Sequence, residues 1–236
     1  MKLHELPASL SSSIPAPRLD ELQVEAARYT VLRRLSPSLR HHMVRPLQPI
    51  TLIYGVMNRK LSAAKPDLQM LQTQADKIND FANAALAQCI DMGTWIAPEP
   101  GIFTELGAGV RECVGLLATT LHFRGFYLVN EVGELPLQVQ RDALRMVLIA
   151  ALLEVTDKLT EPSTVTLSAT CRMDEVTLLL QVDPRDQGWV EHYDDGYRKL
   201  VWSDVQALAA FEGVSLSRQE DCVTMSFVIE PALPTV

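Results

Sequence analysis

Between Leu68 and Met92 the apolar residues fall at Leu68, Leu71, Ala75, Ile78, Ala82, Ala85, Cys89 and Met92, in alternating steps of three and four. Such a run is a heptad seam, which commits the segment to a helix packed lengthwise against another helix. The partner lies just upstream. From Asp20 to Leu61, Leu32, Leu35, Leu39, Met43, Leu47, Ile50, Tyr54, Met57 and Leu61 recur at helical spacing, and the short SAAKPD segment joins the two stretches as a tight helical hairpin. A hairpin with so continuous a stripe cannot cover its own apolar face. Residues 20–94 are therefore expected to pair with a second copy as a homodimeric four-helix bundle.

Proline sets the shape of the first helix. Ser36-Pro37 reads as a start or restart, whereas Pro46 and Pro49 remove backbone donors and predict a bend just after His41 and His42. His41 lies two residues from both Leu39 and Met43, roughly 200° around the helix from each, so it points away from the seam. His42 sits nearer the seam edge. Of the two, His41 is the reactive candidate and His42 the flanking group.

The chain has 236 residues, 47% of them apolar, enough for a substantial core. Its net charge of −8 and pI of about 5.1 argue against nucleic-acid binding, which calls for a basic surface. Cys89, Cys113, Cys171 and Cys222 are far apart, a spacing that suggests neither a metal pair nor a disulfide framework. Cys89, Cys113 and Cys171 are expected as core thiols and Cys222 in the final hairpin. Residues 1–19 read as a flexible lead, and no apolar run reaches membrane-spanning length. A cytoplasmic protein without membrane contact is expected.

After a linker over 95–103, residues 104–236 change character. FTELGAGVRECVGLLATTLHFRG reads as an amphipathic helix ending at Gly125, and FYLVNEV as a strand. RDALRMVLIAALLEVTDKL is a strongly apolar helix, VTLSATCR with EVTLLLQVD a hairpin, and VWSDVQALAAFEG with VSLSRQEDCVTMSFVIEP a last helix and hairpin. The order predicts a mixed, largely antiparallel sheet with helices on one face. The fold class is α+β: a helical hairpin followed by an α/β sandwich.

This combination resembles the bacterial sensor histidine kinases from about residue 20 onward. In that family a dimeric helical hairpin carries the phosphorylated histidine, and an ATP-binding sandwich follows. His41, Pro46, Leu47 and Ile50 match the acceptor motif in register. The departures carry as much information. Ala150 and Glu154 stand where the family places asparagines for Mg²⁺ and nucleotide; VDPRDQGW keeps only Asp183 of the next box, and DGYRKL leaves Gly196 alone of the glycine-rich lid. The family's acidic residue after the histidine is His42, and its water-positioning polar residue is Arg45.

The resemblance thus implies a degenerate nucleotide site, with no cofactor or metal bound by this chain. It is closest to the phosphotransferases built as degenerate histidine kinases, whose dimeric bundle relays phosphate between receiver domains. The partner receiver brings the Mg²⁺, His41 is the phosphoacceptor, His42 the alternative acceptor, and Arg45 the candidate partner for phosphate charge. Two alternatives are a non-catalytic pseudokinase that sequesters a response regulator or kinase, and a divergent ATP-dependent kinase. Arg33, Arg34 and Arg40 are candidate contacts for an acidic receiver; His122 and His192 read as structural or surface residues.

Overall fold

A computed structural model describes residues 18–63, 65–186, 188–191 and 196–230. The expected N-terminal lead up to Pro17, together with His192, lies outside these residues. Helix α1 (Leu19–Val44) runs into a 3₁₀ turn (Arg45–Leu47), α2 (Gln48–Leu61) and, after the connection, α3 (Leu68–Ile96). The α/β part comprises β1 (Phe103–Glu105), α4 (Leu106–Phe123), β2 (Phe126–Asn130), β3 (Gln138–Gln140), α5 (Arg141–Lys158), β4 (Ser163–Arg172), β5 (Glu175–Pro184), α6 (Trp202–Phe211), β6 (Ser215–Gln219) and β7 (Cys222–Val228). Among the described residues no helix is long and apolar enough to cross a membrane.

The main sheet has the order β2-β4-β5-β7-β6, with β2 parallel to β4 and the remaining pairs antiparallel. The mixed, largely antiparallel sheet of the sequence reading is thus present. A two-stranded β1-β3 sheet was not foreseen, because three-residue strands leave no alternation to read.

Helix α5 organises the core. Every residue from Ala143 to Thr156 is buried, so this helix is covered all round rather than along one stripe. The sheet covers one side, and α4 and α6 flank it. Gly109 of α4 permits the close approach, since a Cβ there would lie 2.5 Å from Leu144 Cδ2. At the other end of α4, Gly125 adopts φ +94° and donates its N–H to the His122 carbonyl at 3.0 Å, the helix stop expected from the sequence.

The first half of α1 completes the cover, which corrects the sequence reading. Val24, Ala27, Val31, Leu35 and Leu39 are buried in one core continuous with α4, α5 and the sheet. Leu35 and Leu39 therefore serve the α/β core, which they share with Met92 and Trp95 of the hairpin's second helix. The cause is the all-round apolar α5, which needs an outer layer. Pro37 lies inside α1 and does not start it. Burial of Val24, Val31, Leu35 and Leu39, at about 1.5–3 kcal/mol each, outweighs the roughly 3 kcal/mol cost of an interior proline.

Polar contacts hold α1 in place. Arg34 donates to Asp157 at 2.9 Å, Arg28 pairs with Glu212, and the Arg33 guanidinium lies 4.8 Å from the centre of the Tyr197 ring. Arg34 is thus engaged within the chain, whereas Arg33, beside the Tyr197 ring, and Arg40 are both exposed.

The expected linker is shorter than 95–103. Trp95 belongs to α3 and is 1% exposed, with its indole N–H donating to Glu112 at 2.9 Å; Phe103 already opens β1. The thiol expectation also needs correction. Cys113 is buried, but Cys89 and Cys171 are exposed, the former on the outer face of α3 and the latter near the β4–β5 turn.

Along the hairpin, α3 is capped by Asp67, which accepts the Met70 N–H at 3.0 Å. Leu71, Ala85 and Met92 of its seam are buried within the chain, whereas Leu68, Leu86 and Ile90 are exposed, as are Leu52 and Tyr54 of α2. One apolar face of the hairpin is therefore left uncovered by its own chain.

Candidate functional site

The last turns of α1 present the histidine pair. Leu39 anchors the helix in the core and Met43 packs against it, so His41, between them in sequence, is turned outward and is exposed. Among the described residues its ring has no hydrogen-bond partner; its one ring neighbour is His42, at 6.1 Å between centroids.

His42 is half-buried, and its Nδ1 lies 3.0 Å from the Ser38 carbonyl. A carbonyl oxygen only accepts, so Nδ1 is the protonated nitrogen and donates back into the helix. The two adjacent imidazoles therefore differ: one is tied to its own helix and the other is free.

Beyond them, where the sequence predicted a bend, the α-helix is interrupted. Pro46 and Pro49 supply no N–H to the carbonyls of His42 and Arg45, and the backbone tightens into the 3₁₀ turn at Arg45–Leu47. The Arg45 N–H still reaches the His41 carbonyl. Its side chain comes to the same cleft as the two histidines, a space of about 370 Å³ between the end of α1 and helix α4. Gly115, Thr119 and Thr120 form the α4 wall. Sequence reasoning brought His41, His42 and Arg45 together but missed this wall, because nothing in the sequence places α4 against α1.

The residues at the expected degenerate nucleotide site are differently employed. Ala150 and Glu154 are fully buried on α5. Glu154 accepts from Arg218 at 3.0 Å and pairs with Lys158, and Arg218 in turn lies over the Trp202 ring, 5.5 Å from its centre. Asp183 is exposed at the end of β5, paired in register with Thr164. The following Arg185 stacks on Tyr127 of β2 at 4.0 Å. Glu154 and Asp183 thus occupy unlike environments. Among the described residues no group of three or more His, Cys, Asp or Glu side chains could hold a metal ion.

A second feature escaped the sequence reading. Arg145, a lone cation in the apolar run of α5, is 2% exposed and donates to Asp91 at 3.2 Å, Thr94 at 2.8 Å and Glu112 at 3.2 Å, with its guanidinium 4.5 Å from the Trp95 ring centre. This hub ties the end of α3 to α4 and α5. The one cation in RMVLIAALLEV was the available signal.

Two carboxyls near the same junction are perturbed. Burial pushes Asp142 above the ordinary range despite Arg141, Arg145 and Arg28 nearby. Burial likewise raises Glu212 and outweighs its pairing with Arg28.

No family model matches the chain, and no curated protein matches it. In structure it is similar to the histidine kinase AdeS of Acinetobacter baumannii (13% identity, 79% of this chain and 97% of that chain, TM-score 0.41). It is also similar to histidine kinase ThkA, solved in complex with the response regulator protein TrrA (14% identity, 92% of this chain and 68% of that chain, TM-score 0.41). A third similar structure is a bacterial phosphotransferase (11% identity, 94% of this chain and 100% of that chain, TM-score 0.36).

Proposed function

We propose that this protein is a dimeric histidine phosphotransfer protein of a two-component relay. In this reading His41 accepts a phosphoryl group from the aspartyl phosphate of one receiver domain and passes it to another. The observation that carries it is the free, outward imidazole of His41 just before a proline-containing 3₁₀ turn, beside a His42 whose ring is turned back onto Ser38. The Pro46-Leu47-x-x-Ile50 register of the acceptor motif supports the same assignment.

The chemistry asks little of the chain. A ring nitrogen lone pair of His41 bonds to phosphorus as the bond from phosphorus to the aspartyl oxygen breaks, and the electron pair stays on the receiver's carboxylate. The receiver supplies Mg²⁺ for the phosphoryl charge, and Arg45 adds a cation on the histidine side. No ATP step is assigned: Ala150 has no polar side chain to offer, and Glu154 is held by Arg218 and Lys158.

Intact mass at neutral pH tests the reading after the protein is mixed with a phosphorylated receiver domain and Mg²⁺. A single acid-labile phosphate, absent in His41→Ala and present in His42→Ala, is expected. Stable binding to a receiver without any phosphate on the histidines would make the protein a sequestering scaffold and end the relay reading.

A further inference from the structure

The cleft in front of His41 has two walls, and only one belongs to the hairpin. The other is a strip of α4, where Gly115 and Thr119 lie one turn apart, as do Leu116 and Thr120. Gly115 opens this wall: a Cβ there would meet nothing within 4 Å. The threonines furnish it with hydroxyls. Elsewhere in the chain Thr30, Thr73 and Thr156 turn their hydroxyls back to the carbonyls of Ala26, Gln69 and Leu152, at 2.7, 3.0 and 2.7 Å. Among the described residues Thr119 and Thr120 make no such bond. Both are exposed and line the space that His41 and Arg45 share.

We infer that α4 is half of the phosphotransfer site: the Thr119 and Thr120 hydroxyls, with Arg45 opposite, hold the oxygens of the phosphoryl group as it moves to or from His41. The inference rests on the phosphotransfer reading and extends it to residues outside the histidine-bearing hairpin. The ligand class is a tetrahedral phosphoryl oxyanion. Two hydroxyl donors and one guanidinium suit its three terminal oxygens, while the fourth position carries the bond being exchanged with the imidazole. Leu116, only 4% exposed, gives the strip an apolar base, so the donors act beside a partly dry surface. Thr119 and Thr120 touch the transferring group directly, while His41 alone forms the covalent bond. The gap at Gly115 leaves the cleft open to an incoming group.

Phosphoramidate is a suitable probe, because it transfers its phosphoryl group to a histidine nitrogen with loss of ammonia and needs no partner protein. Phosphorylation of the full chain at His41 is followed by peptide mass spectrometry, with His41→Gln as the blank. Replacing Thr119 and Thr120 together by valine keeps their shape and removes the donors. The rate at His41 is then expected to fall on the order of tenfold, and replacement of both by serine should restore it. A merely structural role would not be rescued by serine, which lacks the methyl. Gly115→Phe, placed where there is room, should close the cleft and abolish labelling while the far-ultraviolet circular dichroism stays unchanged.

A valine pair labelled within about twofold of the natural protein would overturn the inference. If that pair also exchanged phosphate normally with a phosphorylated receiver, the relay reading would stand without it. No label on His41 from either donor would overturn both.

Discussion

Nδ1 of His42 lies 3.0 Å from the carbonyl oxygen of Ser38, one helical turn earlier, while the ring of the adjacent His41, 6.1 Å away between centroids, is exposed and bonds to none of the described residues. This bond fixes which nitrogen of His42 carries its proton, since a carbonyl can only accept. Nitrogen-15 NMR at pH 8 is expected to show His42 as the Nδ1-protonated tautomer. A His42 signal with the proton on Nε2 would remove the distinction between the two rings.

Arg145 should be the residue whose loss costs most stability at the junction of hairpin and sandwich. Its guanidinium is buried and serves Asp91, Thr94 and Glu112 together. Arg145→Met keeps the volume but leaves Glu112 without its cation, so a loss of about 3 kcal/mol in urea unfolding is expected. The double variant Arg145→Met with Glu112→Met should recover part of it, because the more buried of the two carboxylates is then removed with its cation and only Asp91, 40% exposed, is left unpaired. An unchanged urea midpoint in the single variant would show that the hub does not hold the junction.

What the sequence made legible was local. The helix α3 read from its heptad rhythm, the irregularity at Pro46 and Pro49 and the helix stop at Gly125 each follow from a few adjacent residues, and each is present. The strongly apolar α5 was legible as a helix, but the outer layer that its all-round burial requires was not. Contacts between distant residues were not legible. Arg28 and Glu212 are 184 positions apart, and Arg34 and Asp157 are 123 apart; nothing in the spacing of either pair marks them as partners. The α4 wall of the His41 cleft was hidden for the same reason: it exists only because α1 lies across the sandwich.

The same packing sets a pH dependence. Asp142 is raised by burial in the folded state, so folding favours its protonated form, and its ionisation at neutral pH weakens the fold. Its contribution is fully present below the ordinary carboxylate range and is lost as pH rises through the raised folded value. Asp142→Asn should therefore raise the melting temperature at pH 7, with the gain shrinking as pH falls. Asp204 behaves oppositely: burial raises its pKa, but hydrogen bonds from Arg198, the Val201 N–H and Gln23 together bring it below the ordinary value. Its contribution is present above the ordinary carboxylate range and is lost as pH falls through the lowered folded value. A gain for Asp142→Asn that stayed constant from pH 7 to pH 4 would contradict the assignment.

The uncovered face of the hairpin yields a prediction that couples assembly to thiol chemistry. Leu86 and Ile90 are 61% and 64% exposed in one chain, and Cys89 lies between them on the same face of α3. If that face pairs with a second copy, the solution mass is twice the 26.2 kDa of the chain, and Cys89 is shielded. Cys171, on the sheet, is exposed in either state, whereas Cys113 is buried, with its thiol pKa pushed far upward by burial, and should react only on unfolding. A thiol reagent should therefore label Cys171 quickly and Cys89 slowly in the natural protein. Leu86→Glu with Ile90→Glu places two carboxylates in the apolar face and should halve the mass and make Cys89 as reactive as Cys171. A natural protein that is monomeric at micromolar concentration, with Cys89 and Cys171 equally fast, would show that this face is open to solvent and that the hairpin does not close on its copy.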